Sequence, residues 1–246
     1  AGDAGRAEGK LGRGGNGGGG DEDAPGGRRG WRACVGPGDG RRSPRSARVG
    51  GAGSRTRRMT RIAAVSGSRS ADSTTRAALR VALDAAADAG AETDLIDLAT
   101  VDLPLYHPDE GAQGDSEALK RRVREADGVL AGTPVYRGSY SSTFKNFHDF
   151  CGSDEYADTA VGLLATAGGG SYGGTLEHLR STFRNVHAWT VPHEVGIRGA
   201  ASVVETGGTA GGTGPDGGPR ITDADLRDRT ERLGRVVVEH AERLRR

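Results

Sequence analysis

Residues Arg61–Arg76 read RIAAVSGSRSADSTTR, and their reading decides the fold class. Ile62–Val65 is an apolar run long enough for one buried strand. It breaks at Ser66-Gly67-Ser68 and gives way to Leu79, Leu83 and Ala86 at helical spacing. A strand that ends in a small, hydroxyl-rich loop and feeds a helix makes an anion seat. The first-turn N–H groups have no partners inside the helix, and the macrodipole places partial positive charge there. Ser66, Ser68, Ser70, Ser73, Thr74 and Thr75 add hydroxyl donors, and Gly67 lets the backbone come close to a ligand. Arg69 offers a two-pronged fork to phosphate. The same Ser and Thr residues also suit plain helix capping with nothing bound. No Gly-Lys-Ser/Thr follows as in a P-loop, and no GxGxxG marks a dinucleotide site. A single phosphate, as on a mononucleotide, suits the loop better.

Outward from this stretch the chain alternates strands and helices. Thr75–Ala89 reads as a helix with an Ala/Leu face, closed by Gly90, and Thr93–Leu98 as a second strand. A loop marked by Pro104, Pro108, Gly111 and Gly114 follows, then a charged helix from an Asp115 or Ser116 cap to Glu125. Gly128–Gly132 is a wholly apolar third strand, ending in Thr133-Pro134-Val135-Tyr136, with a helix expected over Ser139–Phe150. Thr159–Thr166 is a fourth strand, followed by Ala167-Gly168-Gly169-Gly170-Ser171-Tyr172-Gly173-Gly174. Leu176, Leu179, Phe183 and Val186 mark the next helix, and Ala188–Val191 a fifth strand. A Gly-rich excursion through Gly207–Pro219 leads to a last helix. Thr222 is its expected cap, with Leu226, Leu233, Val237 and Leu244 as the buried stripe.

Five strands alternating with five helices imply an α/β fold, a parallel sheet covered on both faces. Ligands in such sheets sit beyond the carboxyl ends of the strands, where strand order reverses. The loops after the first, third and fourth strands are all rich in small and polar residues, and all three belong on that edge. Their convergence says more than any one motif.

Charge divides the chain. Residues 1–58 hold 13 Lys and Arg against 6 Asp and Glu and include 19 Gly, whereas the whole chain carries a net charge of only +1. The first segment is too poor in apolar residues for a core and reads as a Gly/Arg-rich disordered tail. It has no apolar stretch for a signal peptide, and Arg41-Arg42 lacks the run a twin-arginine signal needs. Its arginines are scattered among glycines and acids rather than clustered for nucleic acid. The only Met is Met59, which leads to the expectation that residues 1–58 are upstream sequence read through. N-terminal sequencing of the native protein tests this. Residues 59–246 form the expected single domain, net acidic and so ill suited to nucleic acid. No apolar run approaches membrane-spanning length, and a cytoplasmic setting is expected. Cys34 and Cys151 fall in different pieces and imply neither a disulfide framework nor a metal cluster.

With the three loops in view, the chain resembles the NADPH-dependent FMN reductase family. The family pattern GSxRxxS is echoed by Gly67-Ser68 and Ser73, with Arg69 one residue early because Ser70 stands where the family has Arg. PxYxxS and LKNxxD are matched by Pro134, Tyr136 and Ser139, then by Phe144-Lys145-Asn146 and Asp149. GGxxGG is matched by Gly169-Gly170 and Gly173-Gly174, and Asp102–Tyr106 (DLPLY) resembles the loop leaving the family's second strand. The match runs from about Ile62 to Gly199.

The resemblance implies a flavodoxin-like three-layer sandwich with five parallel strands in the order 2-1-3-4-5. It implies FMN as cofactor and NADPH or NADH as co-substrate. Ser68, Ser73 and Thr75, with Arg69 and Thr74 beside them, are the expected phosphate seat. Pro134, Val135, Tyr136, Arg137 and Gly138 would carry the isoalloxazine edge, and Ala167, Gly168, Gly169 and Gly170 would flank the other side of the ring. It further implies a small-molecule electron acceptor (free flavin, quinone, azo compound or metal oxyanion) and a homodimer or homotetramer. Hydride transfer between stacked rings needs positioning rather than a side-chain acid or base, so no catalytic residue and no metal ligand is nominated. A flavodoxin-like electron carrier, without nicotinamide turnover, is the alternative.

Other polar residues carry weaker signals. His148 and Asp149 sit on a helix whose apolar face holds Phe144 and Phe147, which favours a helix-surface role over catalysis. Lys145 and Asn146 are expected to fix the loop before that helix. His178, His187 and His193 show no shared metal spacing. Tyr106 and His107 suit either a nicotinamide entrance or simple loop closure, with the balance toward the loop. Cys151 reads as a small core residue. Tyr172 fits either a place over the flavin or the cap of the fourth helix.

Overall fold

The computed structural model describes residues 58–207 and 218–245. The tail expected over 1–58 falls outside them except for Arg58, as does most of the Gly207–Pro219 excursion. In chain order the elements are β1 (Arg61–Ser66), α1 (Thr74–Asp88), β2 (Glu92–Asp97), α2 (Ser116–Glu125), β3 (Gly128–Pro134), α3 (Ser142–Phe150) and α4 (Ser153–Tyr156). There follow β4 (Ala160–Ala167), α5 (Gly173–Asn185), β5 (Trp189–Arg198), α6 (Ala200–Val203), β6 (Val204–Glu205), β7 (Arg220–Ile221) and α7 (Ala224–Leu244).

β1 to β5 form one sheet in the order β2-β1-β3-β4-β5, and every pairing in it is parallel. Side chains alternate across β1. Ile62 and Ala64 pack with α1 and α7, through Leu79, Leu233 and Val237, while Ala63 and Val65 pack with Leu119, Phe144, Leu179 and Phe183 on the other face. β3 and β4 are buried along their whole length, as strands covered on both faces must be. The chain passes from β1 to one neighbour and returns to the other. The crevice between the carboxyl ends of β1 and β3 is therefore the switch point.

Several boundaries differ from the sequence reading. β5 runs to Arg198 rather than stopping at Val191. Thr190 and Glu194 pair with Val161 and Leu163 across a register shift, so Pro192 sits in a bulge on an edge strand, where its missing N–H is tolerated. α3 begins at Ser142 rather than Ser139, because Ser141 is its N-cap, its side chain accepting from Phe144 N. α7 is capped by Asp223, not Thr222, and Leu244 at its end is exposed while Ala241 completes the buried stripe. The short α4, α6 and the antiparallel β6–β7 pair carry too few residues to show a periodicity. Asp115 occupies the N-cap of α2 without a side-chain cap bond, its carboxylate instead accepting from Asp102 N at 2.9 Å.

Asp127 ties the described ends together just before β3. Its carboxylate accepts from Arg58 Nη2 at 2.6 Å, Arg61 N at 2.9 Å and Arg245 Nη1 at 3.3 Å.

Candidate functional site

The β1–α1 loop places hydroxyls on a helix N-terminus. Ser73 is the N-cap of α1, and its Oγ accepts from Arg76 N at 3.0 Å. Ser68 Oγ accepts from Ser70 N at 3.3 Å. Both serines are buried. A hydroxyl that accepts from the backbone keeps its own proton to donate, so these two can each still offer an O–H to an anion. Thr74 opens the helix. Thr75 is turned inward, its hydroxyl 2.5 Å from that of Thr166 at the end of β4, so its backbone N–H is the part left for the seat. Ser66 Oγ is buried without a hydrogen-bond partner among the described residues. Arg69 is exposed, as is Asp72, the carboxylate of this loop. Arg76 pairs with Asp97 at 3.0 Å and also binds the carbonyls of Ser70 and Ala71. It thereby satisfies acceptors that would repel an anion.

The β3–α3 loop is built as a tight turn. Tyr136 and Ser139 exchange backbone bonds of 2.9 and 3.1 Å. Between them Arg137 (φ 52°) and Gly138 (φ 79°) are both left-handed, the geometry of a two-residue hairpin turn, at which only Gly escapes a steric penalty. Pro134 is buried at the strand end, Val135 N donates to Thr166 O at 2.8 Å, and Tyr136, Arg137 and Gly138 are exposed. Ser141 fastens this loop to the first. Its N–H donates to Thr133 Oγ1 at 2.9 Å and its hydroxyl donates to Gly67 O at 2.6 Å. The approach is close enough that a Cβ on Gly67 would lie 2.7 Å from Phe144 Cβ.

The β4–α5 loop is the open one. Ala167 is buried, whereas Gly168, Gly169 and Gly170 are exposed, and a Cβ added to any of these three would meet nothing within 4 Å. Arg198 Nε donates to Gly169 O at 2.9 Å from the end of β5. Tyr172 stands at the N-cap of α5 without a side-chain cap bond. Its ring fills the space over Gly196, where a Cβ would lie 2.0 Å from it.

All three loops leave the carboxyl ends of parallel strands and lie on one rim. Ser141, Arg76 and Arg198, which brace them, were not singled out by the sequence. Ser141 at least stands three residues before Phe144, a helix-start spacing. Clefts of about 300 Å³, lined by Arg61, Glu92, Asp94 and Arg122, and about 250 Å³, lined by α1, β7 and α7 residues, lie away from this rim.

Neighbouring polar residues serve the frame. Asn146 holds the β2–α2 loop, accepting from Tyr106 N and donating to Pro104 O, both at 2.8 Å. It does not fix the loop before α3, and Lys145 pairs with Asp149 on the helix surface. The Tyr106 ring meets Phe150 edge-on at 5.0 Å, and His107 Nδ1 accepts from Asp109 N. His148 is not a surface residue. It is buried against Phe144, Tyr156 and Phe183 at ring separations of 6.2, 5.4 and 4.9 Å, and burial lowers its pKa. Burial likewise pushes the Cys151 thiol up to about 12, which leaves it an inert core side chain. Among the described residues no group of three or more His, Cys, Asp or Glu is placed to hold a metal ion. No described helix is long and apolar enough to cross a membrane.

A five-stranded parallel sheet in this order, with helices on both faces, is the flavodoxin-like sandwich. The solved structure of FerB, a flavoenzyme NAD(P)H:(acceptor) oxidoreductase from Paracoccus denitrificans, shares it with a TM-score of 0.60 at 21% identity, over 75% of this chain and 98% of that one. The apo form of the NADH:FMN oxidoreductase EmoB does so with a TM-score of 0.58 at 19% identity, over 74% and 89%. Residues 60–202 match the model of the NADPH-dependent FMN reductase family, and the chain belongs to that family.

Among curated relatives, the NADPH azoreductase of Bacillus sp. (strain OY1-2) is 39% identical over 112 residues, covering 44% of this chain and 62% of that protein. The NADH-dependent FMN reductase SfnE of Pseudomonas putida is 42% identical over 77 residues, covering 31% and 41%. The chain thus spans 41% to 62% of the length of these relatives.

Proposed function

We propose that the protein is an FMN-dependent NAD(P)H oxidoreductase that reduces a small acceptor such as free flavin, a quinone, an azo compound or a metal oxyanion. One observation carries this reading: at the switch point, two buried serines on the first loop spend their lone pairs on backbone N–H groups and keep their protons for an anion. The donor set fits a phosphate monoester. Ser68 and Ser73 would donate through their hydroxyls and Thr74 and Thr75 through the backbone at the N-terminus of α1. Arg69 is exposed beside them and long enough to screen the outer oxygens.

The other two loops fit a flat ring. Pro134 through Gly138 present a turn whose backbone is fixed by the Tyr136–Ser139 bonds, so its free amide edges keep one orientation. Gly168, Gly169 and Gly170 leave space where side chains would otherwise stand, which suits a ring face that must stay open to a second ring. Bound there, FMN would supply a centre that takes hydride from a nicotinamide and passes electrons on. The chain's own part is orientation and water exclusion, and no side chain is assigned a proton transfer. Assembly as a homodimer or homotetramer is part of this proposal, supported by Tyr136 and Leu105, which are large, apolar and exposed near the rim. A nicotinamide co-substrate fits a cytoplasmic setting.

The test is the absorbance spectrum of the protein saturated with FMN, followed by NADPH oxidation with a quinone or azo acceptor. A flavin spectrum with turnover is expected. A yellow protein without turnover would replace this reading by that of an electron carrier, and failure to take up FMN would end both.

A further inference from the structure

One side-chain bond joins the turn after β3 to the helix that follows the Gly-rich loop. Ser139 Oγ and His178 Nδ1 lie 3.0 Å apart. Ser139 closes the Tyr136–Ser139 turn through both of its backbone groups. His178 stands in the second turn of α5, the helix into which Gly168–Gly170 runs. Its ring also meets Tyr140 edge-on at 6.4 Å. In the same helix a Cβ on Gly174 would lie 3.5 Å from Gly138 O, so the two segments meet along a seam.

We propose that His178 is a positioning residue. Through Ser139 it fixes the turn carrying Tyr136, Arg137 and Gly138 against α5, and so sets the separation of the two loops that would flank the flavin. The inference rests on the FMN site described above. The turn needs such a restraint: Tyr136, Arg137 and Gly138 are exposed, so apolar packing does not hold them. Arg137 is moreover in a left-handed conformation, which is costly for a non-glycine residue and persists only where its surroundings hold it. The serine hydroxyl can donate to Nδ1 or accept from it, so either tautomer of the ring makes the bond.

The full chain, freed of flavin and titrated with FMN, tests this through quenching of flavin fluorescence and through the visible spectrum of the bound flavin. H178F keeps a ring against Tyr140 and removes the bond, S139A removes its other half, and H178N places an amide near the position of Nδ1. H178F and S139A are each expected to weaken FMN binding about three- to tenfold, the value of one hydrogen bond, and to shift the flavin absorption band. The double variant should lose no more than either single one, since both delete the same contact. H178N should stay within about twofold of wild type. Wild-type affinity and spectrum in H178F or S139A, simple addition of the two losses, or a loss in H178N equal to that in H178F would each overturn the proposal. A wild-type chain that takes up no FMN would overturn the site reading and this inference with it. Normal wild-type uptake with an unaltered H178F overturns the inference alone.

Discussion

Replacing Ser73 by Asp separates two jobs that the wild-type side chain would do at once. Ser73 is buried, and its Oγ accepts from Arg76 N at 3.0 Å as the N-cap of α1. Asp is as good a cap as Ser, and its charge is favoured at a helix N-terminus by about 0.3–1 kcal/mol. The S73D apoprotein should therefore unfold at or slightly above the wild-type temperature. S73A, which loses the cap, should lose about 1 kcal/mol, or roughly 2–4 °C in a domain of this size. Ligand binding should rank the variants differently. A carboxylate about 4 Å from a phosphate oxygen, at an effective dielectric of about 20, repels by roughly 4 kcal/mol per charge pair, about a thousandfold in Kd. S73A removes one charge-assisted donor, about 1.5–3 kcal/mol. Thermal unfolding of the apoproteins and FMN fluorescence titration read the two properties separately. If S73D is stable and binds FMN within a few fold of wild type, the phosphate does not sit at this helix and the site assignment fails.

Gly196→Ala puts a Cβ 2.0 Å from the Tyr172 ring. The ring must leave its place at the start of α5, and urea unfolding should show a loss of about 1–3 kcal/mol; an unchanged midpoint would mean that the ring was not seated there. Asp127→Ala frees Arg58, Arg61 N and Arg245 from one carboxylate. Because Arg58 is largely exposed, the expected loss is about 1–3 kcal/mol rather than that of a fully buried pair; D127N should recover part of it, and equal instability of both variants would refute the hydrogen-bond account. His148 supplies a pH dependence. Burial lowers its pKa from 6.5, so its contribution to stability is complete above about pH 6.5. As pH falls below that value, the unfolded chain takes up a proton that the folded chain refuses. Stability then declines, by at most about 1.4 kcal/mol per pH unit, until the folded-state pKa is passed. Melting curves of wild type and H148F between pH 7.5 and 5.5 should diverge on the acid side; parallel curves would show that the ring is not neutral and buried.

What the sequence revealed of the fold was whatever is encoded locally. Ile62–Val65 is apolar throughout and runs into a helix with a clean Ala/Leu face, so β1 and α1 were readable to within a residue or two. β5 was cut short because Pro192-His193-Glu194 interrupts its apolar run. A bulged edge strand tolerates that interruption, but no single-sequence pattern announces a bulge. α3 starts later than its sequence pattern suggests for a related reason. Nothing in Arg137-Gly138 says that both residues are left-handed, although Gly at the second position was a hint. His148 reads as a surface residue by its polarity, but it stands four residues after Phe144, on the same helix face, and that position buries it.

The three loops of the candidate site were legible as loops, while the bonds that brace them were not. Ser141 to Gly67 O, Asn146 to Pro104 O, His178 to Ser139 and Arg76 to Asp97 join residues 74, 42, 39 and 21 positions apart, beyond the reach of any periodicity. Those bonds also make the loops unlike one another. The first is clamped by Arg76, by Ser141 and by its own serines, whereas Gly168–Gly170 is held by a single arginine and has open space at every Cβ position. A small charged group is bound best by donors already fixed before it arrives, since each donor ordered on binding subtracts from affinity. A broad ring that must admit a second ring needs width and an uncovered face instead. On this rim the fixed donors and the open loop fall at different places, in the division of labour that a phosphorylated flat cofactor would require. A ligand that was only an anion would leave the open Gly-rich loop without a purpose.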